Sequence, residues 1–539
     1  MTSKAAITPL LKFEIVEIIK ANVFPTYANT YLCIGRPVRW GDANDPEAAT
    51  EIEDVVYTTN YVNQTFRDMI AMKKVAAADT ALVVPRVDWV SGTAYDEYRD
   101  SLELFSHTDK LTLSGTVNAS ANLITANTAV FTGNLSLGNT ITLNTESKQI
   151  VGLNATHIVV NTNFTYAVLD GTLVRTDNTY PKFANTFYVR NSKDQVFKCL
   201  HNGADNGVGL PSTIEPTIDI DGQLPENPWI ATSDGYKWKY LYTIPYGLKQ
   251  KFFTKNWMPV IEDNAVVAGS TDGRIDIVEI HDGGSGYFLE NGESGNVSSL
   301  SIITITGDGE GAVATAKIES GVITEVNILN GGSGYTYAEV IVDDPDQLPT
   351  GNAANLIASI SPAGGHGANP RKELGCYSVM TSVDFVGTET DTIPVGTDVV
   401  PFDFRQIVLV RDPMLANGTF ANGSVYRTTT KLSLTDPGTS NYTNDETVYI
   451  GTSVNDATFT ATVVNWDPNT NELFVNNLRG SPVVGSTLTG AVSAATATVL
   501  GVEEPHVALF TGDILYIENR DKIVRDADQT EQIRLVLSF

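Results

Sequence analysis

The feature that most restricts how this chain can fold is a repeat. Gly273-Arg-Ile-Asp-Ile-Val-Glu-Ile-His-Asp-Gly-Gly-Ser-Gly-Tyr287 and Gly321-Val-Ile-Thr-Glu-Val-Asn-Ile-Leu-Asn-Gly-Gly-Ser-Gly-Tyr335 stand at a fixed offset of 48 residues. Gly273/Gly321, Ile275/Ile323, Val278/Val326 and Ile280/Ile328 match, as does the whole Gly-Gly-Ser-Gly-Tyr. Each copy reads as a strand running into a turn that needs several glycines at positive φ, with the tyrosine anchoring it. Two copies are too few for a stacked solenoid. The repeat therefore predicts a paired β module.

Composition extends that reading to the rest of the chain. Charged residues make up 18% of the 539, below the usual quarter, and Thr, Asn, Gly and Val are in excess, which is β-rich usage. The length calls for three or more domains. Thr/Asn/Val/Gly-rich stretches with short apolar pulses mark modules at 107–178 and 439–503, and the repeat defines a third at 260–363. The remaining pieces, 1–106, 179–259, 364–438 and 504–539, are richer in aromatics and read as one parent fold of one or two domains. Helices are expected over 12–24, with Ile15, Ile18 and Ile19 on one face before Pro25, and near 61–75, where Val62, Phe66, Met69 and Ile70 share a face. The expected fold class is thus mainly β with a few N-terminal helices, a multi-domain, β-sandwich-like parent fold carrying inserted small all-β modules.

Charge and cysteine usage narrow the function classes. Thirty-five Lys and Arg stand against 63 Asp and Glu, a net charge of −28. A surface so acidic has no basic stripe for a phosphate backbone, so nucleic acid is not an expected partner. It suits solubility and docking on basic partner surfaces. Cys33, Cys199 and Cys376 are far apart and form no CxxC, and they read as small buried hydrophobes in a reducing cytoplasm. The N-terminal apolar run is short and broken by Glu14, and no stretch approaches eighteen apolar residues, so no membrane partner is expected.

Each candidate for chemistry has a plainer explanation. In the Gly-Gly-Ser-Gly-Tyr pair the glycines are followed by tyrosine, without the lysine of a phosphate-binding loop. Gly364-Gly-His-Gly367 offers one imidazole, His366, without a second ligand at metal spacing. Asp219-Ile-Asp-Gly222 and Asp343-Asp-Pro-Asp346 could each contribute oxygens to calcium, but neither fits the EF-hand spacing, and they read as acidic turns. Six scattered histidines form no His-Glu-x-x-His, and no Gly-x-Ser-x-Gly nucleophile turn occurs. No catalytic residue, cofactor or metal is assigned, and the chain is read as not an enzyme. Trp40, Trp89, Trp229, Trp238 and Trp257 fall in the parent fold and only Trp466 in a module, which favours core or subunit packing over sugar recognition.

The final segment alternates strictly. Ile533, Leu535, Leu537 and Phe539 point one way, and Gln532, Arg534 and Ser538 the other, which predicts a half-buried strand tied into the core. Its wording, Tyr516-Ile-Glu-Asn-Arg520 and Asp528-Gln-Thr-Glu-Gln-Ile533 through Phe539, closely resembles the ending of the T-even-like myophage baseplate wedge subunit, the eighth-gene-product family. Six earlier segments resemble the same family in its order. They are Ile34-Gly-Arg-Pro-Val-Arg-Trp40, Val84-Pro-Arg-Val-Asp-Trp89, Val196-Phe-Lys-Cys-Leu200, Thr213-Ile-Glu-Pro216, Asp234-Gly-Tyr-Lys-Trp-Lys-Tyr-Leu241 with Ile244-Pro245, and Phe404-Arg-Gln-Ile407 with Pro413. The resemblance covers the parent pieces, and the three modules depart from it. It implies a structural baseplate wedge subunit of a contractile-tailed bacteriophage, a homodimer joining neighbouring wedge proteins around the tail hub. The chain would then be a virion component, assembled in the host cytoplasm and sited in the tail baseplate. The alternative is a receptor- or glycan-binding tail protein.

Overall fold

A computed structural model describes residues 9–22, 29–37, 59–98, 111–112, 116–127, 131, 135, 140–143, 146–154, 156–175, 187–203, 210–219, 229–287, 300–342, 352–389 and 392–539. The protein is mainly β, with several sheets, a small closed barrel and few helices. It divides into two compact units, one built on Leu82–Ser378 and the other on Glu14–Ala81 with Val379–Leu537.

In the first unit an antiparallel sheet runs in the order Tyr188–Arg190, Gln195–Asn202, Tyr236–Thr243, Ile230–Ala231. Alternation along Tyr236–Thr243 puts Tyr236, Trp238 and Tyr240 on one face, where they meet Val189, Phe197, Cys199 and Tyr95. Tyr236 and Trp238 stack at 5.2 Å between ring centroids. Asp234 closes the turn into that strand, its carboxylate accepting from the backbone N–H groups of Thr213 (2.6 Å) and Ile214 (2.9 Å) and from Thr232 Oγ1 (2.5 Å). Burial would raise the Asp234 pKa, but these hydrogen bonds outweigh it and hold the group below its usual value. Strands between Leu111 and Arg175 in the same unit form an eight-stranded sheet with a core of its own, including Ile124, Phe131, Ile141, Ile158 and Leu173.

The repeat folds as two three-stranded copies that exchange strands. Copy one contributes Ile275–Asp282, Leu300–Gly307 and Glu310–Glu319; copy two contributes Val322–Ser333, Ala338–Val342 and Asn355–Ile360. The two middle strands pair antiparallel, Thr304 opposite Ile341. The first strand of copy one pairs with the third of copy two, and the third strand of copy one with the first of copy two. Equivalent hydrogen bonds cross in both directions: Tyr287 N–H donates to Gly321 C=O at 3.0 Å, and Tyr335 N–H to Gly273 C=O at 3.1 Å.

That exchange explains the motif. Gly283 and Gly331, the first of each turn, lie against the carbonyls of Ile323 and Ile275, where a Cβ would stand 2.3 and 2.6 Å away. The later glycines take positive φ, +66° and +83° at Gly284 and Gly286 and +64° and +74° at Gly332 and Gly334, and at Gly284 and Gly332 a Cβ would also meet backbone, at 2.7 and 2.4 Å. Each tyrosine is buried, and its hydroxyl accepts a backbone N–H, from Ala354 to Tyr287 (2.7 Å) and from Ala312 to Tyr335 (3.3 Å). Those alanines belong to a second repeat, Gly309/Gly351, Ala312/Ala354, Ala316/Ala358 and Ile318/Ile360, at an offset of 42.

The second unit has a five-stranded antiparallel sheet ordered Val425–Arg427, Met69–Lys74, Thr30–Gly35, Phe402–Arg411, Asp513–Arg525. A closed barrel runs from Thr430 to Glu503, its first strand, Thr430–Leu434, lying ahead of the compositional change at 439. Trp466 and Tyr442 are fully buried in the barrel core, Trp466 donating to Asn441 Oδ1 at 3.0 Å.

Three expectations need correction. The second helix is Thr59–Asp68 and stops before Met69 and Ile70, which begin a strand. Pairing on both sides, to Thr30–Gly35 and Val425–Arg427, buries Met69, Ile70, Ala71 and Met72 in succession, and this non-local gain overrides the helical spacing. The first helix is Pro9–Asn22, and it buries Phe13 and Val16 while Ile18 is exposed. On the C-terminal strand, Thr530–Ser538, Ile533 and Leu535 are buried, whereas Leu537 and Phe539 are only half-buried. The inward face carries Glu531 as well, ion-paired to the fully buried Arg525 at 2.5 Å.

Candidate functional site

The residues singled out in the sequence are dispersed. Asp219 is exposed and pairs with Lys193 at 2.9 Å. Asp221, Asp343, Asp344, Asp346 and Trp40 lie outside the described residues. Trp238 and Trp466 are fully buried, and Trp89, Trp229 and Trp257 half-buried. The three cysteines are buried thiols. Among the described residues no group of three His, Cys, Asp or Glu side chains could hold a metal ion. His366, set aside as a lone imidazole, is the exception, because it lies in the most concentrated buried charge cluster of the first unit.

The cluster assembles around Lys198. This lysine sits mid-strand in Gln195–Asn202, and its side chain is 0% exposed. Its ammonium stands 3.9 Å from the centroid of the Tyr98 ring, contacts Glu373 Oε2, and lies 2.6 Å from His366 Nδ1. Glu373 ends the short helix Pro370–Glu373, which Asn369 caps by accepting Lys372 N–H at 2.9 Å. The other oxygen, Glu373 Oε1, accepts two backbone N–H groups, Gly367 at 2.8 Å and Asn369 at 3.3 Å. On the far side of the imidazole, Nε2 is 3.8 Å from Asp276 Oδ2, and Asp276 Oδ1 holds Arg274 Nε at 2.7 Å.

The glycine loop is what delivers His366. Gly365 (φ +97°) packs so closely on Thr271 that a Cβ would meet its backbone at 2.5 Å, and Gly367 (φ +89°) lies equally close to Val266. Ser270 Oγ then donates to the His366 carbonyl at 3.0 Å. Burial, with Lys198 and Lys239 beside it, pushes the imidazole well below its ordinary range, so the ring is neutral at neutral pH and Nδ1 can accept from Lys198. Burial likewise lowers Lys239. The arrangement is an amine shielded from water between a neutral base and a carboxyl group whose second oxygen rests in two amide N–H groups. The sequence signal for it was Lys198 itself, a charged residue inside the apolar run Val196-Phe-Lys-Cys-Leu200.

The second unit holds a different cluster. Arg36 clasps Asp445 through Nε (2.8 Å) and Nη2 (3.0 Å) and reaches Asp403 through Nη1 (3.1 Å), while Arg405 bridges the same two carboxylates at 2.7 and 2.9 Å. Burial acts against the Asp445 charge, but the two guanidinium groups outweigh it and hold its pKa down to about 2. Asp445 belongs to the segment leading into the barrel strand Thr447–Ile450, whereas Asp403 and Arg405 lie on Phe402–Arg411 of the sheet. The cluster pins barrel to sheet. A nearby cleft, lined by Arg67, Thr428, Asn476, Asn477, Glu504 and Phe510, carries no comparable set of reactive groups.

No protein-family model matches this chain, and no curated protein matches it at a significant level.

Proposed function

We propose that this chain is a structural, non-enzymatic baseplate wedge subunit of a contractile-tailed bacteriophage, holding neighbouring wedge proteins in register around the tail hub. The observation that carries the reading is where the colinear segments of the wedge resemblance lie. Val196–Leu200 and Asp234–Leu241 occupy adjacent paired strands, Phe197 facing Tyr240. Thr213 and Ile214 hydrogen-bond to Asp234. Asp88 of the Val84–Trp89 segment binds Arg190 at 2.7 Å, and Trp89 Nε1 donates to Ser212 at 3.0 Å. In the second unit Ile34 pairs with Ile407, and Ile407 on its other side with Glu518 of the terminal segment. Segments far apart in sequence thus lie side by side in the two units, and the three modules each have a core of their own. Buried ion clusters locking strands together suit a load-bearing role.

The same proposal places the chain in the tail baseplate as a homodimer in contact with other wedge proteins. The test is labelling of intact virions with an antibody to this chain. Density confined to the baseplate of a contractile tail is expected. Label on fibre tips would favour the receptor- or glycan-binding alternative, and unlabelled virions would remove both. Light scattering of the purified chain should give twice the 58.1 kDa mass.

A further inference from the structure

We propose that Lys198 and Glu373 condense into an intramolecular amide, an isopeptide cross-link between the sheet strand Gln195–Asn202 and the helix Pro370–Glu373. The inference rests on the geometry of the buried cluster and does not depend on the wedge reading.

Four features required for amide formation coincide there. The amine of Lys198 touches the carboxyl of Glu373, and both side chains are buried, at 0% and 3% exposure. A base stands in reach, since His366 Nδ1 is 2.6 Å from Nζ and is neutral. Glu373 Oε1 already lies in two backbone N–H groups, those of Gly367 and Asn369, placed where a tetrahedral intermediate would carry its negative charge. Water is excluded, which hinders the reverse reaction. Held in contact, the pair behaves as an intramolecular reaction, for which effective concentrations reach on the order of 10⁵ M or more.

The step balances without any further reagent. The ammonium passes one proton to Glu373 Oε2, leaving a neutral amine and a neutral carboxylic acid. Nζ attacks Cδ, forming the N–C bond, and the electron pair of the C=O moves onto Oε1 among the two N–H groups. His366 Nδ1 takes the second proton from Nζ and returns it to Oε2, which leaves as water as the C=O re-forms. The products are one secondary amide and one water, with no change of oxidation state. Asp276, 3.8 Å from Nε2, acts as a positioning residue that favours the charge His366 carries transiently. Arg274, Lys239 and the Tyr98 ring complete the surroundings. The bond would tie the strand before the duplicated module to the segment after it, closing the unit across the insertion.

The test is the intact mass of the purified full-length chain under denaturing conditions, followed by a tryptic map. The expected mass is one water below that of the sequence, with a branched peptide joining the Lys198 and Glu373 segments and no cleavage after Lys198. Lys198→Arg, which keeps the positive charge, should restore the sequence mass. His366→Ala should slow cross-linking by on the order of 100-fold in a pulse-chase of newly made chain. If the natural chain has the full sequence mass and yields the two peptides separately, the proposal is overturned, and this reading needs no variant to fold. Water loss mapped to any other residue overturns it equally, and unchanged kinetics in His366→Ala overturns the role given to the imidazole.

Discussion

The duplicated module and the closed barrel are both small all-β bodies with cores of their own, but they close in opposite ways. The barrel, Thr430 to Glu503, returns its last strand, Thr496–Glu503, to its first, Thr430–Leu434, around a core that includes Trp466 and Tyr442. In the duplicated module neither copy pairs its own first and third strands, and each borrows the other's. A self-closed barrel depends on filling its interior, whereas an exchanged pair depends on backbone fitting backbone at the two crossings. Large apolar side chains therefore decide the first, and glycines the second.

Substitutions can break that contrast. The largest effect should follow Trp466→Ala, which empties the barrel centre and abandons the bond to Asn441. A loss of about 3–5 kcal/mol is expected, read as lost amide-exchange protection confined to barrel strands. Loss of protection in 273–360 as well would mean that the two bodies are not independent. Next comes Gly332→Val. A Cβ there would meet the Glu310 carbonyl at 2.4 Å and the Ala312 nitrogen at 2.6 Å, at φ +64°. Gly334→Ala, with open space around it and φ +74°, meets conformational strain alone, about 1–2 kcal/mol. Thermal unfolding should rank Gly332→Val well above Gly334→Ala, and equal effects would show that close approach is not what the motif serves.

Acid titration probes how the barrel is held to its sheet. Asp445 has a folded pKa of about 2, below its ordinary 3.8, so its stabilisation is present above about 4 and is lost as pH falls toward 2. The loss should be about 2 kcal/mol. Asp68, in the same unit, has the opposite sign. Burial raises it to about 6, against hydrogen bonds from Gln64 and Asn477, so stability grows as pH falls from about 6 to 4. Denaturant midpoints for the second unit should rise and then fall across this range, and Asp68→Asn should abolish the rise. A flat profile would count against both assignments. The smallest effects are expected from Tyr287→Phe and Tyr335→Phe, about 1 kcal/mol each for one lost hydrogen bond. The shorter bond at Tyr287 should make its loss the greater of the two.

Much of the duplicated module was legible in the residues. Matched Ile and Val positions mark its strands, and Gly-Gly-Ser-Gly marks a turn with φ values that only glycine adopts without strain. The exchange of strands was not, because the matching alanines of Gly309–Ile318 and Gly351–Ile360 are too ordinary to signal a repeat until pairing gives each strand the other copy's first strand as its partner. The candidate site was the least legible part. His366 looked solitary because Lys198 and Asp276 come from distant segments, and nothing in Val196–Leu200 says which partner a buried lysine will meet.

By itself, then, the sequence determined the mainly β class, the glycine turns and the burial of Cys33, Cys199 and Cys376. These follow from the conformational preferences and transfer energies of residues within a few positions of one another. Only the tertiary structure decided that Met69–Lys74 is a strand, that Leu537 and Phe539 are half-exposed, and that Lys198 lies against Glu373. Strand partnership and ion pairing depend on contacts between segments far apart in the chain, where the burial gained by the whole sheet outweighs any local preference.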